Sequence, residues 1–430
     1  MIYPIKDRNY PLNWYDKWEP CLEINEQITS VFGGISYFWL TILWLLFYHL
    51  YYYPTMFFSD IIGQEKVKQR LISSVTEERV SHAQLFAGPE GSGKLGLAIA
   101  YAQYISCRDR SESESCGVCS SCRKYSKLIH PDLHFVFPIF KPKGSKKDAY
   151  CDDYLAPWRE MLLKSAYFSL NQWISQINAE NAQVTIYGHE SEAILRKLNM
   201  KSSEAEFKVM IIWLPEKMNL TCANKLLKMI EEPPSKTLFL LVTEDEGNII
   251  PTICSRTQII RIPKIEDVDL QKQLEKDDRF DAATIAEMVH CANGNYLKAM
   301  DYMQSDEEKN YFLETFQKIM RHAFKENILE LLNDAEELGS LGRERQKDFF
   351  LYALRLIREF FMLNLGKPSL VFLTRNEKDW GVKFSPFINE RNVIPINQVF
   401  EEGYRHISMN GNPRIIFSDV LLKIAGLIKR

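Results

Sequence analysis

The chain has 430 residues, with 53 Lys+Arg against 56 Asp+Glu and a formal charge of −3. Hydrophobic residues at 46% and charged residues at 25% exclude disorder, a collagen-like repeat or a mainly membrane-embedded chain as the main state. The neutral balance excludes nucleic-acid binding by the whole surface, which needs a basic excess, and the length allows two or three domains.

Residues 1–55 stand apart, with 15 aromatic residues among them. Ile35 to Tyr53 (ISYFWLTILWLLFYHLYYY) has no formal charge and is long enough to cross a bilayer. The stretch before it is net acidic, where a secretory leader should be basic. The nearest flanking cations, Lys17 and Lys66, are too distant to set an orientation. The expectation is therefore an extension translated from upstream sequence, with Met56 the natural start. A membrane tether and a buried helix are the alternatives.

From Met56 onward the chain reads as a cytoplasmic α/β domain. Ser59 and Asp60 are candidate N-caps for an amphipathic helix through Val67, Leu71 and Val75. Gln84 to Ala87 predicts a short buried strand, followed by a glycine loop from Gly88 to Lys94 and a helix from Leu95 to Ile105. Leu133 to Phe137 predicts a second strand, and Lys141 to Lys147 a basic, solvated loop. Residues 153–200 read as interrupted helix. Lys208 to Leu214 (KVMIIWL) and Thr237 to Val242 (TLFLLV) are continuous apolar runs of the kind that parallel strands show. Between them lies a helix, Ala223 to Glu232, stopped by Pro233 and Pro234. Ile249 to Ile253 and then Gln258 to Ile262 are further apolar segments leading to Pro263. Strands alternating with helices predict a doubly wound parallel sheet. Residues 263–305 suit a small helical lid and 306–430 a mostly helical domain, with 366–395 irregular.

Gly88 to Leu95 (GPEGSGKL) matches the phosphate-binding pattern G-x4-G-K. Glycines let backbone N–H groups converge on phosphate oxygens, the following helix adds its dipole, and Lys94 adds a full charge. The next position should carry a hydroxyl for Mg²⁺, but here it is Leu95. A second requirement is a carboxylate at the end of a buried strand. Trp213 and Leu214 follow the KVMII run instead, and Glu216 reads as a surface residue at the turn. Gly88, Gly91, Gly93 and Lys94 are thus candidate ATP or ADP contacts in a degenerate site. The open readings are a bare glycine turn, binding without turnover, and hydrolysis.

Cys107, Cys116, Cys119 and Cys122 have spacings that let four thiolates wrap one ion. Zn²⁺ prefers tetrahedral sulfur, and a polar segment of this kind needs a metal to fold. Structural zinc is expected; reduced thiols or an iron–sulfur cluster are the alternatives. His130 and His134 are expected to be packing or turn residues.

These features, with FFSDIIGQ at residues 57–64, NKLLKMIEEPP at 224–234 and Ile253 to Arg256, resemble the bacterial clamp-loader subunits of the AAA+ class, strongly over about 57–262. The Asn412 to Phe417 segment is similar, more loosely, to the collar domain of that family. The degenerate site is closer to the non-hydrolysing, delta-prime type than to the hydrolysing gamma/tau type. The resemblance implies an α/β P-loop domain at 56–262 with a zinc module at 107–122, a lid at 263–305 and a collar at 306–430. It implies that Ser255 and Arg256 form a motif whose arginine acts in trans on a neighbour's ATP, although Thr257 replaces the family's cysteine. Thr243 falls at the polar sensor position and Leu297 at the position of the second, arginine sensor. The implied partners are gamma/tau and delta subunits, the sliding clamp and primed DNA, with no membrane. The rival functions are a free-standing AAA+ ATPase, a zinc-dependent nucleic-acid-binding module using the 141–147 loop, and a membrane-tethered regulator.

Overall fold

The computed structural model describes residues 56–429, apart from 143, 145–146, 180–181, 201–202, 235, 278–279, 305 and 368–369. The 1–55 extension and its 35–53 tract lie outside the described residues. Among the described residues, no helix is long and apolar enough to cross a membrane. Two compact units divide the chain. One runs to Ile285 and takes in Gly294–Leu297, and the other comprises Ala286–Asn293 and everything from Lys298 on.

The first unit is built on five parallel strands: β1 (Ala83–Ala87), β2 (Leu133–Val136), β3 (Lys208–Trp213), β4 (Thr237–Thr243) and β5 (Gln258–Arg261). Their order in the sheet is β2-β3-β4-β1-β5. The expected strands form at β1 to β4; of the two segments before Pro263, Gln258–Arg261 is a strand, whereas Ile249 to Ile253 is not, because Pro251 opens a short helix there. β1, β3 and β4 are buried along their whole length, which explains why they read as unbroken apolar runs. The chain moves outward from β1 to β2, returns through β3 and β4, then crosses to β5. The sheet therefore reverses direction at β1/β4, the place where α/β sheets bind ligands. In register, Ala87 lies beside Thr243 on one side and Arg261 on the other, so the glycine loop leaves the sheet between two strand ends.

The helices of this unit are α1 (Glu65–Thr76), α2 (Lys94–Ser106), α3 (Ser120–Tyr125), α4 (Leu155–Lys164), α5 (Leu170–Gln176), α6 (Glu190–Asn199), α7 (Leu220–Glu231), α8 (Pro251–Cys254) and α9 (Asp267–Leu274). Ser59 and Asp60 do not cap α1, contrary to expectation. They lie in a 3-10 turn, and α1 begins only after Gly63 and Gln64, at φ of 59° and 64°. Two successive left-handed residues break the helical path, and the cap moves to Gln64. An unforeseen aromatic cluster fills the space beside β2 and β3. Trp158 stacks on Phe137 at 4.2 Å and meets Trp173 edge-on at 5.2 Å. Such pairs contribute about 1 kcal/mol each beyond their buried area.

Next in the chain come α10 (Ala282–Ala292) and α11 (Tyr296–Gln304), both crossed by the boundary between the units. The second unit continues with α12 (Asp306–Lys325), α13 (Ile328–Ser340), α14 (Arg343–Asn364), α15 (Arg375–Phe384), α16 (Val393–Ser408) and α17 (Pro413–Leu427). Its core gathers Phe316, Phe349, Phe350, Ile357, Phe360 and Phe417, with Phe350 stacked on Phe417 at 4.7 Å. The 366–395 stretch is more regular than its composition suggests. Thr374 caps α15 in a capping box with Glu377, and the buried Glu377 carboxylate also pairs with Arg355 and accepts from Tyr352 at 2.9 Å. Asn412 caps α17, with Pro413 at its first position.

Candidate functional site

The glycine loop joins β1 to α2 as the motif requires. Lys94 is only 5% exposed, and its ammonium donates to the Pro89 carbonyl of its own loop at 2.5 Å. The Glu244 carboxylate, at the end of β4, lies 4.0 Å away. Burial lowers the Lys94 pKa, and Glu244, Glu90 and Glu216 oppose that shift. Burial raises Glu244, with Lys94 pulling it back. The corner therefore sets Lys94 among the carboxylates of Glu244, Glu90 and Glu216, with Lys217 also acting on Glu244. Leu95, buried at the start of α2, offers no metal ligand.

Glu216 is not the exposed turn residue expected. It is half-buried, accepting from the Thr243 hydroxyl at 2.9 Å and the Glu244 amide at 3.2 Å. Leu214 takes a left-handed φ of 55°, which turns the chain after β3 back toward the end of β4. Thr243 is thus a strand-end hydrogen-bonding residue.

The loop is also contacted by residues of Gly294–Leu297, which belong to the same compact unit. The Tyr296 amide donates to the Gly91 carbonyl at 3.3 Å, and Asn295 donates to Glu90 at 3.4 Å. Gly91 has φ +71°, and a Cβ there would sit 2.0 Å from the Asn295 amide oxygen. Tyr167 meets Tyr296 edge-on at 4.9 Å and accepts from the Ile62 amide at 3.0 Å. None of Tyr167, Asn295 or Tyr296 was singled out from the sequence. Glu244, directly after a predicted strand beside the loop, could have been found from topology alone.

The four cysteine sulfurs all lie within 4.8 Å of one another, with Cys116 and Cys122 at 4.0 Å. A tetrahedral zinc shell with Zn–S near 2.3 Å places sulfurs about 3.8 Å apart, so the donor set fits such an ion. The backbone is arranged for thiolates: the amides of Cys116, Cys119 and Cys122 donate to the sulfurs of Cys107, Cys116 and Cys119 at 3.3, 3.3 and 3.5 Å. Burial pushes Cys119 up, but the Cys122 and Arg108 amides and the adjacent thiols outweigh it and hold it at about 6. Burial raises Cys107 and Cys122. Neither expected bystander joins the sulfurs. His130 is buried against Tyr125 at 4.8 Å, and His134 lies within β2, its pKa lowered to about 4 by burial. The module is tied to the start of the domain, where Glu114 accepts from the Phe58 and Ser59 amides at 3.2 and 3.0 Å.

At the other edge of the sheet, α8 and the turn after it carry Ser255 and Arg256. Arg256 is exposed. One guanidinium nitrogen donates to the Thr252 carbonyl at 3.2 Å and to the Ser255 hydroxyl at 3.4 Å, while Nε pairs with Glu231, the last residue of α7. Thr257, in place of the family's cysteine, bonds back to the Ile253 carbonyl at 3.0 Å. Its role is to close the turn. In the 141–147 loop, Lys141 is paired with Asp148 at 3.0 Å.

Residues 63–266, which hold the sheet and both edges, match the family model described as DNA polymerase III, delta subunit. Over that region, just under half of its length, the chain is similar to subunits of the DNA polymerase III clamp loader. The DNA polymerase III subunit delta' of Bacillus subtilis is 25% identical over 258 residues, covering 60% of this chain and 63% of that protein. The tau subunit of the same organism is 22% identical over 392 residues, covering 85% of this chain and 61% of the relative. Protein STICHEL-like 1 of Arabidopsis thaliana is 30% identical over 229 residues, 52% of this chain and 16% of its own length. The matches thus span under two thirds of each relative. The chain combines a parallel sheet carrying the glycine loop with helical C-terminal segments and a cysteine cluster able to hold a metal.

Proposed function

We propose that this chain is the non-hydrolysing delta-prime subunit of a cytoplasmic DNA polymerase III clamp loader. In this reading it assembles with gamma/tau and delta subunits. The complex opens the sliding clamp and loads it onto primed DNA. The chain supplies Arg256 to the ATP held by a neighbouring subunit, and Ser255 helps to set the turn. A guanidinium neutralises charge on the transferring phosphoryl group, with effects of roughly 10³–10⁵ in rate in well-studied cases. Zinc in the four-cysteine module is structural. Gly88, Gly91, Gly93 and Lys94 form a vestigial nucleotide loop that hydrolyses nothing.

The observation that carries this reading is an asymmetry. Every missing part serves the chain's own site: Leu95 for the hydroxyl, Trp213 and Leu214 for the acids, and Leu297 for the second sensor. The part that would serve a neighbour, Arg256, remains and is exposed. Reconstitution with candidate gamma/tau and delta subunits tests it. Arg256→Ala should leave assembly intact and sharply reduce DNA-stimulated ATPase. ATPase that is unchanged in an assembled complex, or turnover by the isolated chain that is lost on Lys94→Ala, overturns it.

A further inference from the structure

Arg256 does not stand alone at its edge. Its Nε pairs with Glu231, and its other contacts, to the Thr252 carbonyl and the Ser255 hydroxyl, come from within its own turn. Glu231 is the only partner among these from another element. Both side chains are well exposed, 39% for Arg256 and 44% for Glu231.

Exposed ion pairs usually contribute little to stability, and the position of Glu231 is poor for stability in any case. It ends α7, and Glu232 follows it. A helix C-terminus carries partial negative charge and favours cations. Two successive carboxylates there act against the dipole. Pro233 and Pro234 then stop the helix and fix where its last residue sits. A carboxylate in an unfavourable place, held at a defined helix end beside one guanidinium, points to a use other than folding.

We infer that Glu231 is a positioning residue for Arg256: its carboxylate holds the Nε edge of the guanidinium and keeps the fork oriented before a neighbour's phosphate arrives. This rests on the reading of Arg256 as a finger in trans. A free arginine side chain samples many rotamers, and ordering it at the moment of reaction costs rate. Holding Nε uses one edge of the fork. Phosphate recognition by arginine uses a pair of parallel N–H groups, so the carboxylate need not leave when the phosphate binds.

The test uses the full chain in the reconstituted complex, with DNA-stimulated ATPase as the readout. Glu231→Ala should lower kcat about fivefold, the size of an exposed pair's coupling, with KM for ATP unchanged. Glu231→Gln keeps an acceptor oxygen for Nε and should recover most of that loss. In the Arg256→Ala background, Glu231→Ala should cause no further loss. Glu246→Ala, which breaks the neighbouring exposed pair with Arg261 at 3.1 Å, should leave kcat as it was. A loss at Arg256 with none at Glu231 overturns this inference and leaves the finger standing. So does an equal Glu231→Ala loss with and without Arg256, which would mark a structural effect. No loss at Arg256 removes the finger and this inference together.

Discussion

Lys94 and Arg256 are two cations at opposite ends of neighbouring parallel strands, one after β1 and one before β5, and the fold treats them oppositely. Lys94 is buried, turned into its own loop and surrounded by Glu90, Glu216 and Glu244. Arg256 is exposed and held by a single carboxylate from another helix. The first arrangement satisfies a charge internally; the second keeps a charge available. A site that has lost its chemistry can be filled by the chain's own polar groups at little cost to anything else. A residue that acts on another molecule must stay at the surface.

The largest expected effect separates the two regions through the metal. The helix that starts at Lys94 runs directly into Cys107, so the chain joins the cysteine module to the Lys94 helix and not to the 251–257 turn. Binding of structural zinc carries an apparent free energy of order 10 kcal/mol. Chelation should therefore speed hydrogen exchange across 107–125 and at the Phe58 and Ser59 amides, while 251–257 stays as protected as before. Equal loosening of both regions would erase the distinction.

Next in size is Arg256→Ala. In the assembled complex it should cost about 10³ in stimulated ATPase, or about 4 kcal/mol of barrier. Its effect on unfolding of the chain should stay within about 1 kcal/mol, because its pair is exposed. Lys94→Met should do the reverse. Removing the cation leaves the Pro89 carbonyl and Glu244 without their partner, at a cost of about 2 kcal/mol in a denaturant titration, with stimulated ATPase unchanged. Swapped outcomes would reverse the roles assigned to the two residues.

The smallest effect is a pH slope. Burial lowers the Lys94 pKa in the folded state below its usual 10.5. Between the folded and unfolded values the unfolded chain binds more protons, so stability rises as pH increases through that window toward 10.5. The difference in melting temperature between wild type and Lys94→Met should drift with pH over this range, and a constant difference would mean that Lys94 titrates normally.

Much of this protein is set by local sequence. Unbroken apolar runs such as KVMII and TLFLL, bounded by turn signals, fit strands buried on both faces, so the central strands and their parallel arrangement were legible from the chain, while β5, mostly exposed, was not set by such a run. The glycine loop and the four cysteines were legible too, because phosphate and metal chemistry demand residue types at close spacing. Tertiary structure alone decided the contacts that cross long sequence separations. Glu244 comes to Lys94 across 150 residues, and Asn295 to Glu90 across 205. Thr374 and Glu377 turn a charged stretch into a capped helix around a buried ion pair with Arg355. The hydrogen bonds that hold Glu216 and the pairing of Glu231 with Arg256 follow from where β4 and α8 end, not from any local pattern. Side chains near in sequence are constrained by backbone geometry and leave a motif. Those joined only by the sheet's crossovers leave none, and they decide here which cation is sealed in and which is kept at the surface.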